Sequence, residues 1–525
     1  MRWRGAAATL LVAAVAAGTA SCTGAAGQPG AGRPAAARTQ APETATSVLS
    51  GPADAIAADV ARSMFASAPV VVVTSPGRPA DLAAAAAAAL KVHAPLLLTA
   101  VQRAGGGVAP AAGHSGVRVA DGRSASTAPM VSAALRTQIR VLDPRAVLAV
   151  GMAGTVLADQ LPGTHVVTSP AMLPTTKPPA PLSDLALLVQ SGNGDAATVA
   201  AVTTARVAGA RVIDVRGTDP RADPAAIAAL TAAQPRQVLA IGGGFGPADQ
   251  LAAKVAVAQT GIQLPGGGQV LFPGHMLVAL YGDPGTPSLG ALGEQDLPAS
   301  IARARQVAAQ YRALSHVPVI PAFEIIATVA QGSPGPDGEY SYETPVADLR
   351  PWVRTATADG MYVILDLQPG RASLLAQAKR YQSLLELPDV GLALDPEWKL
   401  APGQLPLQQI GSVSITEVNS VVTWLAALTA RYRLPEKLLV LHQFRLSMIS
   451  DERGLDTRNQ DLAILIHMDG QGTPGDKQQT WNAVTGAAPA GVFFGWKNFY
   501  VKDHPMISPQ QTVARTPRLS MVSYQ

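Results

Sequence analysis

Cysteine is almost absent from this sequence of 525 residues, with Cys22 as the single example. A chain with one cysteine forms no intrachain disulfide and has no Cys-x-x-Cys pair for a zinc site. Charged residues make up 14% of the chain and aromatic residues 4%, and the formal net charge is only +4. No basic block with interleaved aromatics is present. The composition therefore excludes a disulfide scaffold and gives nucleic-acid binding no electrostatic basis.

The N-terminal segment combines a short positive stretch, "MRWR", with the apolar stretch "GAAATLLVAAVAAGTA". The apolar stretch is too short to span a bilayer comfortably, and this combination is typical of an export signal. Residues 1–22 end in Cys22, preceded by Ala20 and Ser21, and this ending resembles the signal of an actinobacterial-type lipoprotein, in which the cysteine is acylated. The resemblance implies a lipid anchor on the extracytoplasmic face of the cell membrane. The alternative is an ordinary signal peptide with an incidental cysteine.

Residues 23–50 show no apolar periodicity and are rich in Ala, Gly, Pro, Ser and Thr. Such a composition predicts a flexible tether between the signal and the folded part. It places the start of the first folded unit at residue 51.

A repeated unit follows the predicted tether. The stretch "VVVVTSPGRPADLAAAAAAALKVHAPLLLT" (70–99) aligns with "LALLVQSGNGDAATVAAVTTARVAGARVIDV" (185–215), and the phrases "DPRAVLAVG" and "QPRQVLAIGGG" come later in each copy. Strands that alternate with helices predict parallel α/β units, here over 51–165 and 180–262. The glycines of "GGGFG" (242–246) belong to the turn of this repeat, since no Lys-Ser/Thr follows them as in a phosphate-binding loop.

The two copies resemble the cell wall-binding repeat 2 family. The matching residues are Ser75, Gly77, Asp81, Ala94, Pro95, Leu97, Leu98, Thr99, Val150 and Gly151 in the first copy, and Ser191, Gly192, Asp195, Gly242 and Gly243 in the second. The resemblance implies non-covalent attachment to an anionic cell-wall polymer. A role as a packing scaffold for the rest of the chain remains an equal alternative.

The second half, residues 268–525, alternates strand and helix patterns. Seven strands are predicted, at 276–282, 317–324, 361–367, 390–395, 438–444, 462–468 and 491–497, with a weak eighth at 518–524. Amphipathic helices are predicted between them, at about 298–314, 346–358, 372–386, 416–432 and 476–484. Together with the two repeat units, this pattern predicts an α/β protein that ends in a (β/α)8-type barrel.

Polar residues follow the predicted barrel strands. In a (β/α)8 barrel the carboxyl ends of the strands meet at one rim, where functional groups collect. The residues expected there are Asp283, Glu324, Asp366, Asp395, Glu397, His442, Gln443, Arg445, His467, Asp469, Trp496 and Lys497, with Trp398 beside Glu397.

Asp395 and Glu397 are expected to lie side by side, because residues two apart on a strand point to the same face. Their carboxyl groups would then fall in the range of about 5–9.5 Å that glycosidases use. This arrangement resembles a glycoside hydrolase-type barrel, in which a strand ending "LD-x-E" recurs. The resemblance implies catalysis by Glu397 with Asp395 or Asp366, and binding of substrate by the remaining polar and aromatic rim residues.

Other chemistries find less support. His442 and His467 lie on separate strands without His-x-x-x-His spacing, so no metal ion and no cofactor is predicted. No Gly-x-Ser-x-Gly follows a strand, which disfavours a Ser-His-Asp hydrolase. Three interpretations remain open: a lipid-anchored hydrolase of an envelope glycan, a non-catalytic cell-wall-binding or scaffold lipoprotein, and a module that captures a soluble glycan or metabolite.

Overall fold

The computed structural model describes residues 34–100 and 130–525. The predicted export signal, Cys22 and the first part of the predicted tether lie outside the described residues. Within the described ranges, strands and helices alternate along nearly the whole chain.

The N-terminal part contains twelve strands and seven helices among the described residues. The strands are β1 (Ala35–Ala36), β2 (Arg38–Thr39), β3 (Thr46–Leu49), β4 (Phe65–Ser67), β5 (Val70–Thr74), β6 (Leu96–Leu98), β7 (Ala146–Val150), β8 (Val166–Val167), β9 (Thr176–Lys177), β10 (Leu185–Gln190), β11 (Arg211–Val215) and β12 (Gln237–Ile241). The helices are α1 (Ala53–Met64), α2 (Pro79–Lys91), α3 (Ala133–Leu142), α4 (Gly154–Gln160), α5 (Ala196–Val207), α6 (Pro224–Ala233) and α7 (Ala248–Ala258).

Two parallel four-stranded sheets organise this part, in the orders β6-β5-β7-β8 and β11-β10-β12-β3. The tether prediction was wrong for its described part, residues 34–50, because β3 lies at the edge of the second sheet and β1 pairs with β9. Backbone pairing with a distant strand satisfies the amides of a short segment that has little apolar character of its own. Membership of the cell wall-binding repeat family stays a prediction.

Helices α1 and α5 pack between the two sheets. One apolar core joins Val71 of β5 and Leu187 of β10 with Val60 of α1 and Ala201 of α5. Helix α5 begins at an N-cap, Asp195, whose side chain accepts a hydrogen bond from the amide of Thr198 at 2.7 Å. The two sheets therefore share one apolar core and are not independent units.

The C-terminal part contains eleven strands and seven helices. The strands are β13 (Met276–Gly282), β14 (Val319–Ala330), β15 (Ser341–Glu343), β16 (Tyr362–Leu367), β17 (Val390–Leu394), β18 (Val413–Ser414), β19 (Lys437–Gln443), β20 (Ile449–Ser450), β21 (Leu462–Met468), β22 (Phe493–Asn498) and β23 (Met521–Tyr524). The helices are α8 (Leu297–Ala309), α9 (Val346–Ala358), α10 (Leu374–Arg380), α11 (Gln382–Leu385), α12 (Ile415–Arg431), α13 (Pro474–Ala487) and α14 (Pro509–Val513).

Eight of these strands close into a parallel barrel. Its order is β13-β14-β16-β17-β19-β21-β22-β23, and β13 closes the ring by pairing with both β14 and β23. The prediction of a barrel of the (β/α)8 type is confirmed, including the weak eighth strand. One difference is that the helix predicted at 372–386 is divided at Tyr381 into α10 and α11.

Apolar side chains fill the amino-terminal half of the barrel interior. The inward-facing set comprises Leu277, Ala279, Ile320, Ala322, Tyr362, Ile364, Ala393, Leu438, Val440, Ala463, Leu465 and Met521. Leu264, Leu271 and Phe272, from the segment that leads into the barrel, pack against this set. Burial of this apolar surface stabilises the closed barrel at the amino-terminal ends of its strands. The polar side chains lie at the opposite, carboxyl-terminal end.

Glu436 links the segment that contains Leu271 and Phe272 to the barrel by hydrogen bonds. Its carboxylate accepts hydrogen bonds from the amides of Leu271 at 2.7 Å and Phe272 at 3.4 Å. We expect Glu436→Ala to destabilise the barrel by about 1–3 kcal/mol, because two buried amides lose their partner. Glu436→Gln is the matched control and should cost less, since its carbonyl oxygen still accepts.

Urea unfolding followed by tryptophan fluorescence measures this effect, because Trp352, Trp398, Trp424, Trp481 and Trp496, five of the six tryptophans, lie in the C-terminal part. Equal midpoints for Glu436→Ala and the unchanged protein would show that the contact contributes nothing.

Candidate active site

Each of the eight barrel strands places one polar side chain in the carboxyl half of the interior. Alternation along a strand explains this, because the residue two positions beyond an inward apolar side chain also points inward. None of the eight is more than 3% exposed. The eight are Tyr281, Glu324, Asp366, Asp395, His442, His467, Lys497 and Ser523, of which Asp395 directly follows its strand.

Glu324 was predicted at a strand end, and this placement was wrong. Strand β14 continues to Ala330 and pairs there with the antiparallel strand β15. Glu324 nevertheless lies level with Tyr281 on the neighbouring strand, inside the polar half of the barrel. Glu324 belongs to the polar layer because its side chain points into the barrel, and its distance from the end of the strand does not matter for this.

His442 lies at the centre of this polar layer. Its Nε2 is 3.0 Å from Glu324 Oε1 and 3.9 Å from Asp366 Oδ1, and its Nδ1 is 3.3 Å from Asp469 Oδ2. Burial alone would lower the pKa of His442, but the negative charges of Glu324 and Asp366 outweigh it and raise that pKa well above its usual value. The same attraction outweighs burial at Glu324 and Asp469 and lowers their pKa values.

Tyr281 supports Asp366 from the neighbouring wall of the barrel. Its hydroxyl donates a hydrogen bond of 2.8 Å to Asp366 Oδ2, and the Lys497 ammonium lies 3.3 Å from the centre of its ring. Burial raises the pKa of Asp366, with a further contribution from the charge of Glu324. Burial and the nearby carboxylates raise the pKa of Tyr281 well above its usual value, so the phenol remains a donor.

His467 lies beside His442 in register on the adjacent strand. Its Nδ1 is 4.0 Å from Glu324 Oε1, and its Nε2 is 3.3 Å from the Ser523 hydroxyl oxygen. Burial lowers the pKa of His467 to about 4, and the positive charges of His442 and Lys497 contribute in the same direction. His467 is therefore a neutral imidazole at neutral pH.

Asp395, Glu397 and Asp469 form a second group nearer the mouth, with one oxygen of each within 4.8 Å of the others. Glu397 is half-buried, whereas Asp395 and Asp469 are 2% and 7% exposed. Burial and the charge of Asp469 raise the pKa of Glu397 to about 7. Burial, Glu397 and Asp366 raise the pKa of Asp395 well above its usual value.

The link between Asp395 and Glu397 differs from the extended strand that the sequence predicted. Strand β17 ends at Leu394, and Pro396 begins a single 3-10 turn that ends at Trp398. The turn does not send the Glu397 carboxylate away from its partners, since one of its oxygens lies within 4.8 Å of oxygens of Asp395 and Asp469. The backbone carbonyl of Glu397 accepts a hydrogen bond of 2.7 Å from the amide of Gly411, which fixes the turn. The two carboxylates therefore converge by a different local geometry.

Three predicted rim residues do not join these groups. Asp283 accepts a hydrogen bond of 2.7 Å from the amide of Gly285 and stabilises a turn. Arg445 is exposed, with its guanidinium 5.9 Å from the ring of Phe444. Trp496 is fully buried, because its position on β22 alternates with the inward Lys497 and so faces the helix layer.

Trp496 packs against Trp481 there, at 5.8 Å between ring centres, and donates a hydrogen bond of 2.9 Å to Asn498. The prediction that Trp496 stacks on a sugar is therefore wrong. Trp398 is half-buried beside Glu397 and remains a candidate for that role. Lys497 lies at the site as predicted.

Tyr281 and Ser523 were not selected as site residues from the sequence, and His467 was expected at the rim but was given no role there. Each has the same parity as an inward apolar residue earlier on its strand: Ala279, Leu465 and Met521 respectively. Counting parity from the apolar half of each strand would have placed all three side chains inside the barrel.

Models of known protein families give no match to this chain, and neither do curated proteins. Within the ranges 34–100 and 130–525, no helix has both the length and the apolar character needed to cross a bilayer.

Proposed function

We propose that the barrel is a retaining glycoside hydrolase that acts on a glycan of the cell envelope. The observation that carries this proposal is the convergence of Asp395, Glu397 and Asp469 at the mouth of the barrel, with oxygens within 4.8 Å of one another. Retaining glycosidases hold their two carboxyl groups about 5–5.5 Å apart, and inverting ones about 6.5–9.5 Å. The short separation favours the retaining course.

Glu397 is the general acid in this proposal. Its pKa of about 7 keeps a proton on a substantial fraction of the carboxyl groups at neutral pH, and it is the most exposed of the three. A general acid works best when its pKa lies near the working pH. Glu397 would protonate the glycosidic oxygen as the bond to the anomeric carbon breaks.

Asp469 is the nucleophile in this proposal. Its Oδ2 is held 3.3 Å from His442 Nδ1, and its Oδ1 has no hydrogen-bonding partner among the described residues. Asp395 is a weaker candidate, because burial and the neighbouring carboxylates raise its pKa well above the usual value and so disfavour the charged, nucleophilic form. Asp366 lies deeper and is bound by Tyr281. The assignment thus keeps Glu397 from the sequence analysis and replaces Asp395 and Asp366 by Asp469.

The two steps of the reaction use these residues in turn. Asp469 Oδ1 bonds to the anomeric carbon while the leaving oxygen takes the proton of Glu397. Water then attacks the same carbon, gives its proton to Glu397, and releases Asp469 as a carboxylate. Lys497, whose ammonium lies beside Tyr281, supplies a positive charge to orient a polar substituent.

The place of action rests on the N-terminal sequence. A lipidated Cys22 would hold the chain on the extracytoplasmic face of the membrane, and two acyl chains suffice for stable anchoring. The two α/β sheets would bind cell-wall polymer or support the barrel. The alternative, a non-catalytic cell-wall-binding or scaffold lipoprotein, predicts no turnover of any glycan.

A digestion screen tests the proposal. Purified full-length protein is incubated with cell-wall preparations and an array of glycans, and released reducing ends are measured. The Glu397→Gln variant is the inactive comparison, and Glu294→Gln, whose carboxylate pairs with Arg303 and belongs to neither carboxylate group of the site, is the matched control. We expect release by the unchanged protein and by Glu294→Gln only, with retention of anomeric configuration in the first product. Equal release by all three proteins, or none by any, would overturn the proposal.

A further inference from the structure

The polar layer beneath the carboxylates of the mouth contains a second cluster, formed by Glu324, His442 and His467. We propose that these three side chains bind one divalent transition-metal ion, with Asp366 as a further oxygen donor. The inference goes beyond the proposed hydrolase activity and does not depend on it, because it concerns binding of an ion and not turnover.

The donor atoms already lie close together. Glu324 Oε1, His442 Nε2 and His467 Nδ1 are all within 4.8 Å of one another, with Glu324 Oε1 3.0 Å from the first nitrogen and 4.0 Å from the second. Bonds of about 2.0–2.2 Å to a tetrahedral zinc ion place neighbouring donors about 3.3–3.5 Å apart. The two distances from Glu324 Oε1 thus lie about 0.3–0.7 Å from this spacing.

Three of the four donor residues have a second polar residue beside them. The other nitrogen of His442 is 3.3 Å from Asp469 Oδ2, and the other nitrogen of His467 is 3.3 Å from the hydroxyl oxygen of Ser523. In the same way Tyr281 holds one oxygen of Asp366. Histidine ligands in metal sites almost always have such a partner on the second ring nitrogen, because it fixes the tautomer and ring orientation.

Several buried polar atoms in the cluster have no hydrogen-bonding partner among the described residues. Besides His442 Nδ1, which lies 3.3 Å from Asp469 Oδ2, they are Glu324 Oε2, Asp366 Oδ1 and His467 Nδ1, all on side chains with no exposed surface. An unpaired buried polar atom is costly, and its presence calls for an explanation such as a bound ion. These three atoms share the pocket with the His442 nitrogen that faces Glu324.

The chemistry of the donors indicates which cation would bind. Two imidazole nitrogens with carboxylate oxygens suit zinc, iron, cobalt or nickel, whereas calcium and magnesium prefer oxygen alone. Zinc is the appropriate first probe.

Zinc binding is measured on the full chain after removal of metal with a chelator. Titration followed by calorimetry, with elemental analysis of the dialysed protein, should give one zinc ion per chain and no competition by calcium. We expect Glu324→Gln and His467→Gln to weaken zinc binding more than 100-fold. Ser523→Ala, which removes only the support of His467, should weaken it about 10-fold.

Glu397→Gln separates this inference from the proposed function. That variant should bind zinc as the unchanged protein does, because Glu397 is not a ligand, even though turnover is lost. The inference is overturned when the unchanged protein holds no zinc after dialysis, or when Glu324→Gln and His467→Gln bind it as tightly. Should His467→Gln fail to fold, the nearly isosteric Glu324→Gln still decides the question.

Discussion

The Glu397→Gln variant is expected to lose about 10²–10⁴-fold in turnover while it still folds and binds glycan. The amide has nearly the shape of the carboxyl group but delivers no proton to the leaving oxygen, and general acid catalysis contributes a factor of this size. Initial rates on the substrate found by digestion, with circular dichroism and glycan binding on the same sample, measure the three properties.

The pH dependence gives this prediction a second test. The acid must carry its proton, and the pKa of Glu397 is raised to about 7 by burial and by Asp469. The rate of the unchanged protein should therefore fall as the pH rises through about 7, and that decline should be missing from the residual rate of Glu397→Gln. A variant that keeps more than a tenth of the turnover would show that another group supplies the proton.

Asp503→Ala is expected to destabilise the barrel by about 3–5 kcal/mol. The Lys477 ammonium is buried between Asp503 Oδ2 and the backbone carbonyl of Lys497, which is 2.6 Å away. Asp503 also accepts hydrogen bonds from the amides of Phe499 at 3.0 Å and Gly472 at 3.2 Å. Removing the carboxylate leaves a buried ammonium without its counter-ion and two amides without an acceptor.

Urea unfolding measures the loss of stability in Asp503→Ala. The matched control is Asp456→Ala, because the ion pair between Asp456 and Arg458 lies on the surface. Solvent screens such a pair, so its loss should hardly change the unfolding midpoint. Similar midpoints for the two variants would mean that Lys477 finds another partner or leaves the core.

Local patterns predicted most of the barrel, and tertiary placement decided the rest. Nearly continuous apolar runs located the barrel strands, because the strands of a parallel barrel are buried on both faces. Trp496 was assigned to the mouth because it follows the apolar residues of its strand, although its parity puts it among the helices. Whether a strand residue faces the barrel interior has to be counted in steps of two from an inward apolar residue on the same strand. The position of the strand end alone does not decide it.

The proximity of His442 and His467 could not be predicted from spacing. They lie on adjacent strands, and only the register between those strands brings the two rings to 5.1 Å between centres. The same limit applies to strand β3, whose partner β12 lies far along the chain. Pairings of this kind depend on how the whole chain closes and leave no periodic signal.

Strand β3 makes the two N-terminal sheets difficult to separate by truncation. A fragment that starts at residue 51 would lack Thr46–Leu49 and would uncover the backbone amides and carbonyls along one side of Gln237–Ile241. Free strand edges recruit other chains, so such a fragment should tend to aggregate or to exchange strands between molecules. The sheet of β11, β10, β12 and β3 can be studied in isolation only in a protein that includes the segment containing β3.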